Sequence, residues 1–170
     1  MDLDFVPAGP AQLPALRALI FDHGANVWNW LPTEGIDAHL RDIGAGRAHA
    51  LLAMQGPQLH AAVSYCQTHD FAHYQAPARQ HLPHGYVCEA VVRREATGQG
   101  LGTRLLQLVV QRLQAQGLQE IYIDRHEENA ASAGMMRRAG FVEVATFADP
   151  ARRPHGSGRT TVCCLRLSPA

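Results

Sequence analysis

Residues 86–106 combine a short apolar segment, a turn with three glycines and the start of a long amphipathic segment. The apolar segment is typical of a strand, and residues 100–116 carry apolar side chains at helical spacing. Gly98, Gly100 and Gly102 lack a Cβ atom, so the backbone between the two elements can turn sharply and approach a ligand closely. Because a helix begins with unpaired N–H groups and the positive end of its dipole, this turn is suited to bind phosphate.

The spacing of the glycines distinguishes this turn from two common phosphate-binding loops. A P-loop requires a lysine after its last glycine, and this chain contains no lysine; all 15 of its Lys and Arg residues are arginine. A dinucleotide-binding loop follows the pattern Gly-x-Gly-x-x-Gly, whose last glycine would fall on Thr103 or Leu105. A tight strand–helix turn without a ligand is the alternative interpretation of the turn taken alone.

Length and charge narrow the class of protein. The 170 residues are most simply one domain, 1–170, with a sizeable core. The formal net charge is zero, so no strongly basic field favours nucleic acid. No apolar run approaches the ~20 residues of a membrane span, and the first residues lack the pattern of a signal peptide. The four cysteines form no Cys-x-x-Cys pair. We therefore expect a cytoplasmic protein with reduced thiols and without nucleic-acid or membrane partners.

The other hydrophobic patterns predict strands and helices on both sides of the glycine turn. Before it we expect a strand, two helices and a two-stranded hairpin, at residues 3–6, 13–24, 33–43, 48–54 and 59–66. A strand at 86–92 leads into the turn, and after the helix we expect a strand, a helix and two strands, at residues 119–124, 129–139, 141–147 and 160–167. Thr33 and Asn129 are suitable N-caps, and Gly140 is a suitable C-terminal cap. The strand, helix and strand around the turn predict a right-handed unit with parallel strands.

The glycine turn resembles the acetyl-CoA pyrophosphate loop of the GCN5-related N-acetyltransferase (GNAT) family. The family pattern is Gln/Arg-x-x-Gly-x-Gly/Ala, in which Gly100 and Gly102 match and Thr97 takes the place of Gln/Arg. The last helix of the family commonly reads Asn-x-x-Ala-x-x-Leu-Tyr-x-x-x-Gly-Phe. The match there includes Asn129 and the Gly-Phe pair at 140–141, whereas methionine occupies the tyrosine position.

The resemblance implies an α/β fold with a mixed, mostly antiparallel sheet of six to seven strands. Helices would cover both faces, and a central pair of parallel strands would separate from each other. The order of elements resembles the family over nearly the whole chain, and the sequence motifs lie within residues 87–144.

Acetyl-CoA is the co-substrate that the resemblance implies. Its pantetheine arm would pair with the strand that leads into the glycine turn, and its pyrophosphate would accept hydrogen bonds from the turn. Asn129 would contact the arm from the other side. The implied cofactor-binding residues are Ala90, Val91, Val92, Thr97, Gly98, Gln99, Gly100, Leu101, Gly102, Thr103, Arg104, Asn129 and Ser132. Arg94, Arg104 or Arg138 would meet the adenosine phosphates.

Transfer of an acetyl group to an amine needs a base, because a free alkylammonium has a pKa of about 10.4. Acidic residues on the strand before the turn serve this role in several members of the family, which makes Glu89 our candidate general base. A Glu89 that faces water or pairs with an arginine is the alternative. Asp124, His126 or Glu127 after the next strand could act instead. Backbone N–H groups of residues 89–92 would stabilise the oxyanion.

The family usually protonates the departing sulfur with a tyrosine, and Met136 occupies that position here. A thioether cannot donate a proton. Tyr122, Ser132 or Cys88 could donate instead, and of these we place Tyr122 beside Glu89 as a candidate catalytic residue. Alternatively, the thiolate leaves unaided, since thiols have a pKa of about 8.5. A third interpretation is a catalytically silent acyl-CoA-binding regulatory module.

The acceptor predicted from the resemblance is a primary amine of a small molecule or peptide, and a homodimer is possible. Arginines follow the strand at 141–147, at positions 152, 153 and 159. We expect a solvated basic loop there; the alternative is recognition of a carboxylate or phosphate on the acceptor. Trp28 and Trp30 are expected to fill the core, or else to form an apolar wall for the acceptor.

Four histidines lie in the irregular segment 67–84, at positions 69, 73, 81 and 84. Neutral imidazole is a common metal ligand, so a metal site is one interpretation. Little cysteine or carboxylate spacing supports it, and we expect solvated loop histidines and no metal.

Overall fold

The structure, a computed structural model, describes residues 2–168. Within them the chain forms seven strands and four α-helices. In chain order these are β1 (Asp4–Pro7), α1 (Leu13–Gly24), α2 (Thr33–Gly44), β2 (His49–Gln55), β3 (Gln58–Thr68), β4 (His84–Val92), α3 (Leu101–Ala115), β5 (Glu120–His126), α4 (Ala130–Arg138), β6 (Val142–Ala148) and β7 (Arg159–Arg166). No helix among the described residues is both long enough and apolar enough to cross a membrane.

The seven strands form one mixed sheet in the order β1-β2-β3-β4-β5-β7-β6. Strands β4 and β5 are parallel, and every other neighbouring pair is antiparallel. The parallel pairing runs only from Gly85 opposite Ile121 to Val87 opposite Ile123, although β4 continues to pair with β3 as far as Val92. The two central strands therefore separate after Val87. The predicted mixed sheet with a separating parallel pair is confirmed.

Helices cover both faces of the sheet, as expected. Helix α3 packs one face through the apolar residues that its sequence placed on one side, including Leu105, Leu106 and Val109, which are fully buried. Helices α1 and α2 pack the opposite face through residues such as Leu16 and Ile36. Each face of the sheet thus has its own apolar core, because strand side chains alternate between the two faces.

A bulge in β4 interrupts this alternation beside the point where the strands separate. Glu89 lies opposite Ser64 and Val87 lies opposite Tyr65, so Cys88 is an extra residue in β4. Val87 and Ala90 consequently both pack on the α3 side of the sheet. The side chain of Glu89 lies on the other side, which faces α2.

Two local predictions from the sequence are wrong. The N-cap of α2 is Pro32, and Thr33 is the first residue of the helix. His84 is completely buried, because it begins β4 and packs against the ring of Tyr122. The other three histidines of the irregular segment, His69, His73 and His81, are exposed as expected. Residues 2–168 contain no cluster of three or more potential metal ligands.

Candidate active site

The glycine turn leaves the first backbone N–H groups of α3 without partners in the helix. Gly98 and Gly100 adopt positive φ angles of 80° and 75°, and α3 starts directly after Gly100. No side chain caps the helix, and the first helical hydrogen bond runs from the Arg104 N–H to the Gly100 carbonyl at 3.0 Å. The N–H groups before Arg104 are therefore available to an anionic ligand, at the positive end of the helix dipole.

A cavity of about 550 Å³ lies in front of this turn, between the end of β4 and helix α4. The Thr103 hydroxyl is buried at its edge and has no hydrogen-bond partner among residues 2–168. A Cβ atom on Gly98 or Gly100 would meet no atom within 4 Å, whereas one on Gly102 would lie 2.9 Å from Met135 Sδ. The space above the turn is open, and Gly102 instead permits close packing of α3 on α4. An unpaired buried hydroxyl next to free N–H groups fits a ligand rich in acceptor oxygens.

Of the three arginines considered for phosphate binding, Arg138 lines this cavity. The guanidinium of Arg104 lies 4.5 Å from the centre of the Phe5 ring, and Arg94 donates a hydrogen bond to the Ala25 carbonyl. Both side chains therefore contact other groups and neither lines the cavity, so Arg138 on α4 is the best placed of the three to meet a phosphate.

A second cavity occupies the gap where β4 and β5 separate. Its walls come from both strands, from α4 and from the loop between β6 and β7. The lining residues that bear on the chemistry are Cys88, Glu89, Ala90, Asp124, Ser132, Met136, Arg152 and Arg153. Glu89 also lines a third cavity of about 290 Å³ beneath α2, together with Trp30, Ile36 and His39. The carboxyl group of Glu89 thus lies where these two cavities meet.

The backbone of β4 offers free groups to the gap at alternate residues. The Arg93 N–H donates to the His60 carbonyl of β3 at 2.8 Å, and in an antiparallel pair this orientation recurs at every second residue. Val91 therefore directs its N–H and C=O groups to β3. Those of Ala90 and Val92 point to the gap, which has no strand partner at this level. Of the predicted oxyanion donors, the N–H groups of Ala90 and Val92 therefore face the gap.

The predicted cofactor-binding residues fall into two groups. Those that line one of the first two cavities are Ala90, Val92, Thr97, Gly98, Gly100, Leu101, Gly102, Thr103 and Ser132. Those that line neither are Val91, Gln99, Arg104 and Asn129. Asn129 is buried, and its side chain caps α4 by accepting a hydrogen bond from the Ser132 N–H at 3.1 Å. Its predicted role as an N-cap is confirmed.

Burial, and to a smaller extent the negative charge of Asp124, raise the pKa of Glu89 to about 7. The positive charges of Arg152 and Arg153 oppose this increase. A carboxyl group with this pKa can accept a proton and release it again near neutral pH, which is the property required of a general base.

The same shift predicts how stability depends on pH. Folding holds the proton on Glu89 up to about pH 7, whereas the unfolded chain releases it near the ordinary value of 4.5. The folded state thus binds more protons between these values, and its stability falls as the pH rises through this range. The variant Glu89→Gln should be more stable than the parent by about 3 kcal/mol at pH 8 and by only about 1 kcal/mol at pH 5. Urea unfolding at both values measures this, with Glu95→Gln, an exposed carboxylate, as the control. An equal difference at both pH values would contradict the buried placement of Glu89.

An ion-pair cluster forms the floor of the gap. Arg152 Nη1 lies 3.2 Å from Asp124 Oδ2 and 3.5 Å from Asp149 Oδ2, and Arg153 Nη2 lies 3.8 Å from Asp124 Oδ1. The Tyr86 hydroxyl donates to Asp124 Oδ1 at 3.1 Å. The expectation of a solvated basic loop is therefore wrong for Arg152 and Arg153, because Asp124 draws both into the site. It fits Arg159, which is exposed.

His126, an alternative base, has both ring nitrogens in use. Nε2 lies 2.7 Å from the His155 carbonyl oxygen, and Nδ1 accepts a hydrogen bond from the Glu128 N–H at 2.9 Å. The half-buried Trp28 ring lies 4.6 Å from the His126 ring. Trp30 does not fill the core as expected, because it is 47% exposed; it lines both cavities next to Glu89.

Tyr122, a candidate catalytic residue, does not line the gap. It is fully buried on the other side of the strand from Ile123, and its ring stacks on Phe71 with centroids 5.0 Å apart. This placement gives no path for its proton to a group bound in the gap. Ser132 and Cys88 do line the gap, and so does the buried Met136. Contact with the Cys66 thiol and burial raise the pKa of Cys88 well above its ordinary value, so Cys88 carries its proton.

A sequence model of the acetyltransferase (GNAT) family matches residues 18–141. An L-methionine sulfoximine/L-methionine sulfone acetyltransferase from Pseudomonas aeruginosa is 30% identical over 140 residues, which cover 79% of this chain and 77% of that protein. The enzyme of the same name from Pseudomonas paraeruginosa is 28% identical over 137 residues, with the same coverage of both chains.

A solved structure with the same fold is the ribosomal-protein-alanine N-acetyltransferase from Brucella melitensis. It superposes with a TM-score of 0.76 at 20% identity and covers 97% of this chain and 100% of that chain. The family match spans well over half of the chain, and it includes both the glycine turn and Glu89. This protein is therefore an acetyltransferase that belongs to the GNAT family.

Proposed function

We propose that this protein transfers the acetyl group of acetyl-CoA directly to a primary amine of a small molecule or peptide. The observation that carries the proposal is the position of Glu89, whose half-buried side chain lies where the gap between β4 and β5 meets the cavity beneath α2. In this proposal the gap between β4 and β5 takes the acetyl donor, and the cavity beneath α2 takes the acceptor. Glu89, the base, therefore lies between the two reactants.

The residues of the first two cavities fit acetyl-CoA. The free N–H groups of the glycine turn, the unpaired Thr103 hydroxyl and Arg138 suit a diphosphate. The backbone groups of Ala90 and Val92 suit an arm that carries amide groups, since they have no strand partner in the gap. When bound there, acetyl-CoA supplies an activated thioester.

Glu89 would remove the proton from the acceptor ammonium. An alkylammonium has a pKa of about 10.4, so proton transfer to a carboxylate of ordinary pKa is uphill by about 8 kcal/mol. With the pKa of Glu89 raised to about 7, the same transfer is uphill by about 5 kcal/mol. Burial of the carboxyl group therefore makes Glu89 a stronger base at the position where the acceptor enters.

Two further groups complete the proposed chemistry. The Ala90 N–H points into the gap and can stabilise an oxyanion formed beside it. Ser132 and Cys88 are the hydroxyl and thiol that line the gap, and either can donate a proton to the departing sulfur in place of the usual tyrosine. A thiolate is a moderate leaving group, so departure of the sulfur depends only partly on an acid. Deprotonation of the acceptor ammonium depends more strongly on a base.

The cavity beneath α2 limits the size of the acceptor. Its volume of about 290 Å³ and its apolar lining of Trp30, Pro32, Ile36 and Tyr86 suit a small amine or one terminal residue of a peptide. The names of the two Pseudomonas relatives support an amino-acid-like acceptor. Arg152 faces this cavity, but its charge is shared with Asp124 and Asp149.

Release of free thiol from acetyl-CoA tests the proposal. L-methionine sulfone, L-methionine sulfoximine and a short peptide with a free N-terminus serve as acceptors, and mass spectrometry of the products identifies the acetylated nitrogen. We expect turnover with at least one of the amino-acid acceptors and an acetyl group on its α-amine. Binding of CoA by calorimetry, without turnover on any of these amines, would instead support the silent acyl-CoA-binding module that Met136 suggests.

A further inference from the structure

The bulge in β4 determines which side of the sheet Glu89 faces. In a regular strand Glu89 would share a face with Val87, two residues earlier, and that face packs on α3. The extra residue Cys88 reverses the alternation and turns Glu89 towards α2 and the acceptor cavity. The orientation of Glu89 therefore depends on whatever maintains this bulge.

Ser64 on β3 binds the bulge directly. The Glu89 N–H donates a hydrogen bond to Ser64 Oγ at 3.1 Å, and Ser64 is 1% exposed. A buried hydroxyl that accepts a backbone hydrogen bond at an irregular point of the ladder holds the strand in that conformation, because its loss leaves the N–H poorly paired.

His39 on α2 in turn orients Ser64. His39 Nε2 lies 2.7 Å from Ser64 Oγ, and burial lowers the pKa of His39, so the ring is neutral at neutral pH. Since the Ser64 oxygen accepts from Glu89, its proton is free to be donated to Nε2, which places the ring proton on Nδ1. The helix over the acceptor cavity and the catalytic strand are thus connected through one serine.

We propose that Ser64 and His39 are positioning residues for acetyl transfer: they hold the β4 bulge in the conformation that directs Glu89 into the acceptor cavity. This inference rests on the proposed role of Glu89 as base. The titratable and charged groups that line the cavities around Glu89 are Asp124 and Arg125 from β5, Arg152 and Arg153 from the loop between β6 and β7, His39 from α2, and Tyr86 and Cys88 from β4.

The test uses the full chain with Ser64→Ala, and the carboxyl carbon of Glu89 is followed by NMR titration in the absence of substrate. Without the Ser64 hydroxyl the bulge is no longer held in one conformation, so an ionised Glu89 can move away from Asp124 towards water. The midpoint of the Glu89 titration should therefore fall by about one pH unit in Ser64→Ala, with kcat/KM about tenfold lower. For His39 we expect a matched pair of results. His39→Leu loses the acceptor and should lower kcat/KM about threefold with a smaller shift of the midpoint, whereas His39→Gln keeps an acceptor and should resemble the parent.

Thr161→Val is the control for loss of a buried hydroxyl. Thr161 is 2% exposed on β7, and its Oγ1 lies 2.9 Å from Thr146 Oγ1, away from the gap. This variant should lose stability without any change in the Glu89 titration. An unchanged midpoint in folded Ser64→Ala would overturn the inference, and so would equal effects of His39→Leu and His39→Gln. A shifted midpoint with unchanged kcat/KM would retain the positioning role and overturn Glu89 as the base.

Discussion

Replacing Glu89 with glutamine is expected to lower kcat by about 10²–10⁴, the range of general base catalysis. Glutamine has the same shape and fits the same cavity, but it cannot take a proton from the acceptor ammonium. The affinity for CoA should not change, because the glycine turn that would hold the diphosphate lines a different cavity from Glu89. Initial rates of thiol release measure the first effect, and calorimetric titration with CoA measures the second.

The pH dependence of the parent enzyme provides the internal control for this result. The base is active when it is deprotonated, so kcat/KM should rise with pH through about 7, the pKa of Glu89 in the folded protein. The residual activity of Glu89→Gln should lack this rise. A variant that keeps both the rate and the rise would assign the base to another group, and Asp124 is the remaining carboxylate in the gap.

Replacing Gly100 with valine is expected to weaken CoA binding on the order of 100-fold, the loss of about two hydrogen bonds to a charged group. Gly100 has a φ of 75°, which a β-branched residue adopts only at a cost of about 1–2 kcal/mol. To relieve this strain the turn must rotate its peptide groups, and the N–H groups at the start of α3 then no longer converge on one anion. Calorimetric titration with CoA at constant salt concentration measures the loss.

Gly46→Val separates loss of the ligand site from general strain. Gly46 has a φ of 78° in the turn after α2, and a Cβ atom there would meet nothing within 4 Å, as at Gly100. Both variants should therefore lose similar stability in urea, while Gly46→Val keeps the affinity of the parent for CoA. If Gly100→Val binds CoA as tightly as Gly46→Val does, the glycine turn is not the diphosphate site.

Features that depend on near neighbours in the chain were predictable from the sequence. The glycine turn, the start of α3 and the cap of α4 by Asn129 depend on backbone geometry within a few residues, and the structure has all three. Helix α3 buries the side that its apolar spacing indicated. The mixed sheet was predicted as well, but through the family resemblance, because strand order is not contained in local patterns.

The parts of the site that were missed depend on residues far apart in the chain. The sequence around Arg152 and Arg153 indicates a solvated loop, whereas in the structure both pair with Asp124, which lies nearly 30 positions earlier. Tyr122 lies on β5 near the point where β4 and β5 separate, as predicted. Its side chain, however, packs into an aromatic cluster that includes Phe71 from the segment before β4. Neither the ion pairs with Asp124 nor the aromatic packing of Tyr122 could be predicted from the charge and aromatic content of the sequence alone.

Local patterns in the sequence are sufficient to predict a glycine turn before a helix and an acidic residue on the preceding strand. The direction in which that acidic residue faces depends instead on the packing of distant segments. The bulge at Cys88 is defined by pairing with β3, and the pKa of about 7 at Glu89 follows from burial beneath α2 and beside Asp124. Register and burial are properties of packed elements, so they exist only once distant segments have come together.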